Sequence, residues 1–227
     1  MRVLAIADEV SPFVYSERFP ANLGDVDVVL SAGDVPGYLL EFLATRLTTP
    51  PVYVFGNHAD GYVVDDDGET RVKPGGCIDA HRRIVEVAGL RIAGIEGSAR
   101  YRPGPHQYAE REMERFALAF APRLAWDRRR RDPPVDVLLT HAPPVGPHAG
   151  ADVPHRGVPA FNRFHRWWRP RVHVHGHVHL NGANAPRRYV TEEGVEVVNA
   201  FGFTTFEIDP AVRRGAREAT DPAHDPR

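Results

Sequence analysis

Eight residues late in the chain, Val172-His173-Val174-His175-Gly176-His177-Val178-His179, constrain the fold more than any other stretch. Valine and histidine alternate up to Gly176, the period of two of a strand, so His173 and His175 share one sheet face. Gly176 then lets the backbone leave the strand through a sharp turn that a Cβ would resist. His177 and His179 follow on a loop at the carboxyl end of that strand, the edge where open α/β sheets place their ligand sites. Two imidazoles two residues apart suit a transition metal. An isolated HxH serves equally well as a His-rich surface strand, so the question is whether further ligands lie at other strand ends.

The chain before this stretch supplies them. Arg2 to Ala7 reads as a buried strand that ends at Asp8, and Val26 to Ser31 as a second that ends at Gly33-Asp34. Gly37 to Leu47 carries Leu40, Leu43 and Leu47 at helical spacing, and Pro51 to Phe55 is a third strand that ends at Gly56-Asn57-His58. This alternation implies a mostly parallel sheet covered by helices, with the polar residues on one edge of that one sheet. Arg83–Val87 and Leu90–Ile95, separated by Ala88-Gly89, read as a hairpin. Gly104 to Phe120 reads as a helix with Ala109, Met113, Phe116 and Phe120 along its buried stripe, and Val135 to Thr140 is a strand that ends at His141. After the histidine-rich strand, Arg188–Val190, Val195–Asn199 and Phe203–Ile208 read as antiparallel, with a turn near Glu193-Gly194. Residues 1–209 form one expected domain, and 210–227 a polar, Pro-containing tail without periodicity, expected to be disordered.

Composition removes several classes of function. A net charge of −2 offers no bulk field for nucleic acid. The apolar start, Val3 to Ala7, is too short for a signal-peptide core, and no stretch approaches the ~20 apolar residues of a membrane span. The single cysteine, Cys77, excludes an internal disulfide framework and fits a reducing compartment, so a cytoplasmic location is expected. Cys77 lies in a Pro-Gly-Gly turn with no base beside it and reads as structural. Asp65-Asp66-Asp67 lacks the spacing of a calcium loop and reads as a solvated loop. The arginines 128–131 beside Trp126 read as a solvated helix end that complements the helix dipole.

Five strand ends therefore carry Asp8, Asp34, Asn57 with His58, His141, and His177 with His179. Carboxylates, an amide oxygen and imidazoles together suit two divalent metals of intermediate softness, Mn²⁺, Fe²⁺ or Zn²⁺. A closed structural zinc site, normally rich in thiolate, does not fit this donor set.

In their order Asp8, Gly33-Asp34, Gly56-Asn57-His58, His141 and Gly176-His177-Val178-His179 resemble the calcineurin-like metallophosphoesterases, from the first strand to about Ile208. The resemblance implies a sandwich of two β-sheets flanked by helices and a two-metal site that hydrolyses a phosphoester substrate with a metal-bound hydroxide. It implies that Asp34 bridges the metals, that Asn57, His141 and His177 complete one site, and that Asp8 and His179 serve the other. His58 would stand off the metals as general acid to the leaving group. Two positions depart from the family pattern: its first motif is usually Asp-x-His, where this chain has Val10, and Ala59 rather than an acid follows His58. One metal thereby loses an imidazole, and the Asp8-side site is expected to be the weaker.

Glu9 is a candidate substitute for the missing imidazole, but as the neighbour of Asp8 it is expected to point to the opposite side of an extended strand. His173 and His175 are expected to pack or hydrogen-bond within the sheet. His148, His155 and Arg156 lie near His141 in sequence and Arg100 follows a strand end; an arginine there can clamp a phosphate or serve the surface. The alternative function is a catalytically weakened metal- or phosphate-binding protein of the same fold, motivated by Val10. A metallo-β-lactamase type does not fit, because its histidines cluster early in the chain beside an aspartate.

Overall fold

A computed structural model describes residues 1–58, 63–64, 70–71, 73–180 and 186–210. Its strands run, in chain order, β1 (Arg2–Ala7), β2 (Val28–Ser31), β3 (Val52–Tyr53), β4 (Val63–Val64), β5 (Thr70–Arg71), β6 (Ile78–Asp79), β7 (Ile84–Val87) and β8 (Leu90–Ile95). They continue as β9 (Ser98–Ala99), β10 (Gln107–Tyr108), β11 (Val137–Thr140), β12 (Val172–His175), β13 (Arg188–Val190), β14 (Glu196–Asn199) and β15 (Gly202–Glu207). The helices are α1 (Gly37–Arg46), α2 (Glu110–Ala119), α3 (Ala121–Asp127) and α4 (Pro159–Trp168).

Two large sheets, ordered β15-β1-β2-β3-β6 and β13-β14-β12-β11-β8-β7, form the sandwich. Their centres are parallel, while β15, β7 and β13 are antiparallel edge strands. The period-2 pattern assigns each layer. In β1, Val3, Ala5 and Ala7 face the opposing sheet, where they meet Ile92, Leu139 and Val174, while Leu4 and Ile6 meet Leu39, Leu40 and Leu43 of α1. In the other sheet Ala93, Ile95 and Leu138 turn outward against Met113 of α2 and Phe161, Phe164 and Trp168 of α4. A helix layer therefore covers each outer face, and the central core lies between the sheets.

Several element limits differ from the sequence reading. The expected helix from Gly104 becomes α2 followed by α3, because Gln107–Tyr108 is extended and pairs with Ser98–Ala99. The Glu112 carboxylate accepts the Ala109 N–H at 2.8 Å and closes the start of α2 there, which leaves Ala109 exposed rather than on the stripe. The last strand does not pair with β14; it crosses to the other sheet and runs antiparallel to β1. Asn199 makes that crossing, accepting the Phe201 N–H at 2.9 Å and donating to the Val178 carbonyl at 2.7 Å. The β7–β8 hairpin is as read, and its two-residue turn is left-handed at both Ala88 (φ 49°) and Gly89 (φ 84°). Asp65–Asp67, Ala59 and residues 211–227 lie outside the described residues.

Candidate metal centre

The polar strand ends do not share one sheet, as their alternation implied: β1, β2 and β3 belong to one sheet and β11 and β12 to the other, and their next residues meet at the seam of the sandwich because both sheets end on a common edge. Cross-sheet hydrogen bonds fix it: the His141 ring donates from Nδ1 to the Ala32 carbonyl at 2.7 Å, and the His177 N–H approaches both carboxylate oxygens of Asp8 at 3.0–3.1 Å. Asp8 (φ 65°), Asp34 (φ 54°) and His177 (φ 66°) all adopt the left-handed conformation within three residues of a strand end. That region is sparsely populated by non-glycine residues and is tolerated best by Asp, Asn and His; such strain clusters at functional sites.

Two glycines of the motifs have a definite spatial task. A Cβ on Gly56 would fall 2.1 Å from Asp34 Oδ1, and one on Gly176 would fall 2.7 Å from Asp8 Oδ2. Each carboxylate occupies the space a side chain would fill.

The tight cluster consists of Asp34, Asn57, His141 and His177. His141 Nε2 stands 3.1 Å from Asp34 Oδ2, 2.9 Å from Asn57 Oδ1 and 3.1 Å from His177 Nδ1. Asp34, His141 and His177 are the group of three among the described residues whose donor atoms all approach within 4.8 Å. The surrounding contacts orient them. His141 gives its Nδ1–H to Ala32 and His177 its Nε2–H to the Pro154 carbonyl at 2.8 Å, so the other nitrogen of each ring faces the cluster. Asn57 donates from Nδ2 to the Tyr101 hydroxyl at 3.1 Å, which directs its oxygen inward. Asp34 keeps Oδ2 for the cluster and accepts the His58 N–H on Oδ1 at 2.8 Å. Two imidazole nitrogens, a carboxylate oxygen and an amide oxygen, oriented from behind, fit a divalent ion of intermediate softness.

The electrostatics follow from burial. Burial opposes the charge on both Asp34 and His141, but their shared hydrogen bond and attraction prevail and move Asp34 below, and His141 above, its ordinary value. Burial, reinforced by the His141 charge, drives His177 down to about 3, and a neutral imidazole is the ligand form. Burial raises Asp8, with Asp34 as an added like charge.

Asp8, His58 and His179 line the same cleft of about 220 Å³, together with Tyr101, Pro154 and His155, but they stand outside the tight cluster. His179 is exposed and lies against Phe201, with ring centroids 4.6 Å apart. Val10 is packed against the apolar cluster of Leu4, Ile6 and Val14, and Glu9 does not line the cleft. Arg100 is committed to Glu112 at 3.0 Å and to the Gln107 carbonyl. Arg102 instead reaches the site, with Nη2 3.4 Å from His58 Nδ1. Tyr101, Arg102 and the Pro154 carbonyl carry no sequence signal, since each arrives from a loop with no motif. His148 and His175 bond to one another at 2.8 Å, as do His165 and His173. Cys77 is inert: burial and the nearby Glu41 push its thiol up to about 12.

The protein is a two-sheet α/β sandwich whose common strand edge gathers a group of residues that could hold a metal ion. The calcineurin-like phosphoesterase model matches residues 1–181, and the chain belongs to that family, whose members are generally phosphoesterases that bind two divalent metals. No curated protein sequence matches it. One crystal structure aligns over 90% of this chain and 93% of its own at 15% identity and a TM-score of 0.57. The crystal structure of TT1561 of Thermus thermophilus aligns over 88% of both chains at 14% identity and a TM-score of 0.52. Both likenesses concern the fold. Among the described residues no helix is long and apolar enough to cross a membrane.

Proposed function

We propose that the protein is a cytoplasmic metal-dependent phosphoesterase, a phosphatase or phosphodiesterase. The observation that carries this reading is the convergence of Asp34 Oδ2, Asn57 Oδ1, His141 Nε2 and His177 Nδ1, each oriented by a second contact behind it. These four residues would hold one ion, Mn²⁺, Fe²⁺ or Zn²⁺, and Asp8, Asp34 and His179 would hold another. When bound, such ions lower the pKa of water and offset phosphoryl charge. The chain's own residues do the rest. His58 lines the cleft and its ring reaches solvent, so a proton held there can pass to the departing oxygen. Arg102 beside it supplies a cation where phosphate charge develops. A hydrolysis panel with p-nitrophenyl phosphate, its bis ester and cyclic nucleotides, each with Mn²⁺, Zn²⁺, Fe²⁺ or no metal, tests the reading. Hydrolysis of none would leave the second reading, a metal- or phosphate-binding protein, which the apolar packing of Val10 favours.

His58→Ala is expected to slow esters with basic leaving groups by roughly 10²-fold and p-nitrophenyl esters much less, because a good leaving group needs no proton. Equal losses on both would assign His58 to binding. Calorimetric titration is expected to resolve two unequal metal affinities, since the Asp8 side offers fewer protein donors. Two equal, tight sites would show that another residue completes the Asp8 side.

A further inference from the structure

The molecule has a second polar cleft, of about 260 Å³, lined by Glu86, Arg91, Arg123, Asp127, Arg130 and Arg131. Arg91 stands at the start of β8, and its N–H donates to Asp136, just before β11, at 2.9 Å. The cleft therefore lies at the amino ends of these strands, the sheet edge opposite the metal cluster.

Among the lining residues four guanidinium groups meet two carboxylates, an excess of two positive charges on the wall itself, with Asp136 behind it on the Arg91 N–H. Arg91 is 6% exposed and donates to the Pro134 carbonyl and to Asp127; Arg123 donates from Nε to that same Asp127 oxygen at 2.8 Å. Arg131 is 8% exposed and reaches Glu86 only at 3.4 Å. Its Nη1 is buried with no acceptor among the described residues. A buried charged donor without a partner is costly, and guanidinium forks match the oxygens of a phosphate. Arg130 lies over the Trp126 ring at 5.2 Å, on the rim of the cleft.

We propose that this cleft is a second, non-catalytic binding site for a phosphate dianion, either orthophosphate or the phosphate of a small phosphomonoester. The excess charge matches the roughly −1.5 to −2 that such a group carries near neutral pH. The volume is below the roughly 300–1,000 Å³ of a drug-sized pocket, so the phosphate rather than a large attached group is the recognised element.

The test is calorimetric titration of the full chain with orthophosphate, AMP and succinate. Wild type is compared with Asp34→Asn, which disables the metal cluster, and with the Arg123→Gln/Arg130→Gln pair. The Arg123 side chain is 69% exposed, and melting curves will verify that the pair still folds. Asp34→Asn is expected to retain phosphate binding that the arginine pair weakens at least about tenfold, the size of losing charged hydrogen bonds. The arginine pair is expected to keep any basal hydrolysis, so failure of the phosphoesterase reading does not bear on this site. AMP tighter than orthophosphate would identify a phosphomonoester as ligand; equal affinity would identify the free anion. Loss of all phosphate binding in Asp34→Asn, undiminished binding in the arginine pair, or succinate binding equal to phosphate would overturn the proposal.

Discussion

Asp34→Asn is expected to lower phosphoester hydrolysis by roughly 10³–10⁴-fold while leaving the fold intact, because several kcal/mol of metal-borne charge stabilisation depends on this carboxylate. Asparagine preserves the shape, and its oxygen can still accept the His58 N–H that Asp34 Oδ1 now accepts at 2.8 Å. What it removes is the negative charge that faces His141 Nε2 at 3.1 Å. Metal affinity is expected to fall together with kcat, read by calorimetry and by activity at saturating metal. Glu114→Gln is the control: that carboxylate lies on α2 in the outer helix layer and pairs with Arg163 of α4 at 2.7 Å. Undiminished metal binding and hydrolysis in Asp34→Asn would remove the cluster from the chemistry.

The second large effect concerns acid. His165, His173 and His175 are fully buried, and burial depresses all three: His165 to about 4, His175 to about 3, and His173 well below its ordinary value. Their hydrogen bonds define the tautomers. Thr140 donates to the Ala142 carbonyl at 2.6 Å, so His173 Nε2–H donates to the Thr140 hydroxyl, and His173 Nδ1 accepts from His165 at 2.8 Å. His175 gives its Nδ1–H to the Gly176 carbonyl and accepts from His148.

The folded state binds protons less readily than the unfolded chain, whose histidines titrate near about 6.5. Stability is therefore fully present above about pH 6.5 and is lost as pH falls toward about 4. His165 and His175 together contribute roughly 6 kcal/mol of that loss, comparable with the whole stability of many domains. His177, driven down to about 3, and Asp34, also lowered, add to the loss, while His141 and Asp8, whose values are raised, offset part of it. Denaturant unfolding of metal-free protein at pH 7, 6, 5 and 4 measures the slope, and His165→Gln, which keeps the donor to His173, is expected to flatten it. A profile level from pH 7 to 4 would contradict these buried neutral rings.

Much of the site was legible because its signals are local. A strand followed by a glycine and a polar residue recurs at Gly33-Asp34, Gly56-Asn57 and Gly176-His177, and at Gly56 and Gly176 a carboxylate takes the place of a Cβ. The alternation in β12 likewise placed His173 and His175 on one face before any contact was known. The residue pattern determined that polar residues gather at the carboxyl ends of the strands and the chemical class of ion they suit; the division of those strands between two sheets came from the family resemblance and the fold.

Tertiary structure decided what depends on separation in space. Which of the six candidate ligands form a tight set and which only line the cleft followed from the distances between two sheets, and no period or motif encodes those. Where β15 crosses to the opposite sheet, the Asn199 side chain bonds Phe201 and Val178, and Arg187 donates to the Asn199 and Phe201 carbonyls. Tyr101, Arg102 and the Pro154 carbonyl entered the site from loops whose course is set by packing rather than by propensity. The arginines 128–131 show the limit most clearly. As a run they read as a solvated helix end, yet two of them line a cleft with Arg91 and Arg123, because strand β8 returns to that end of the sheet.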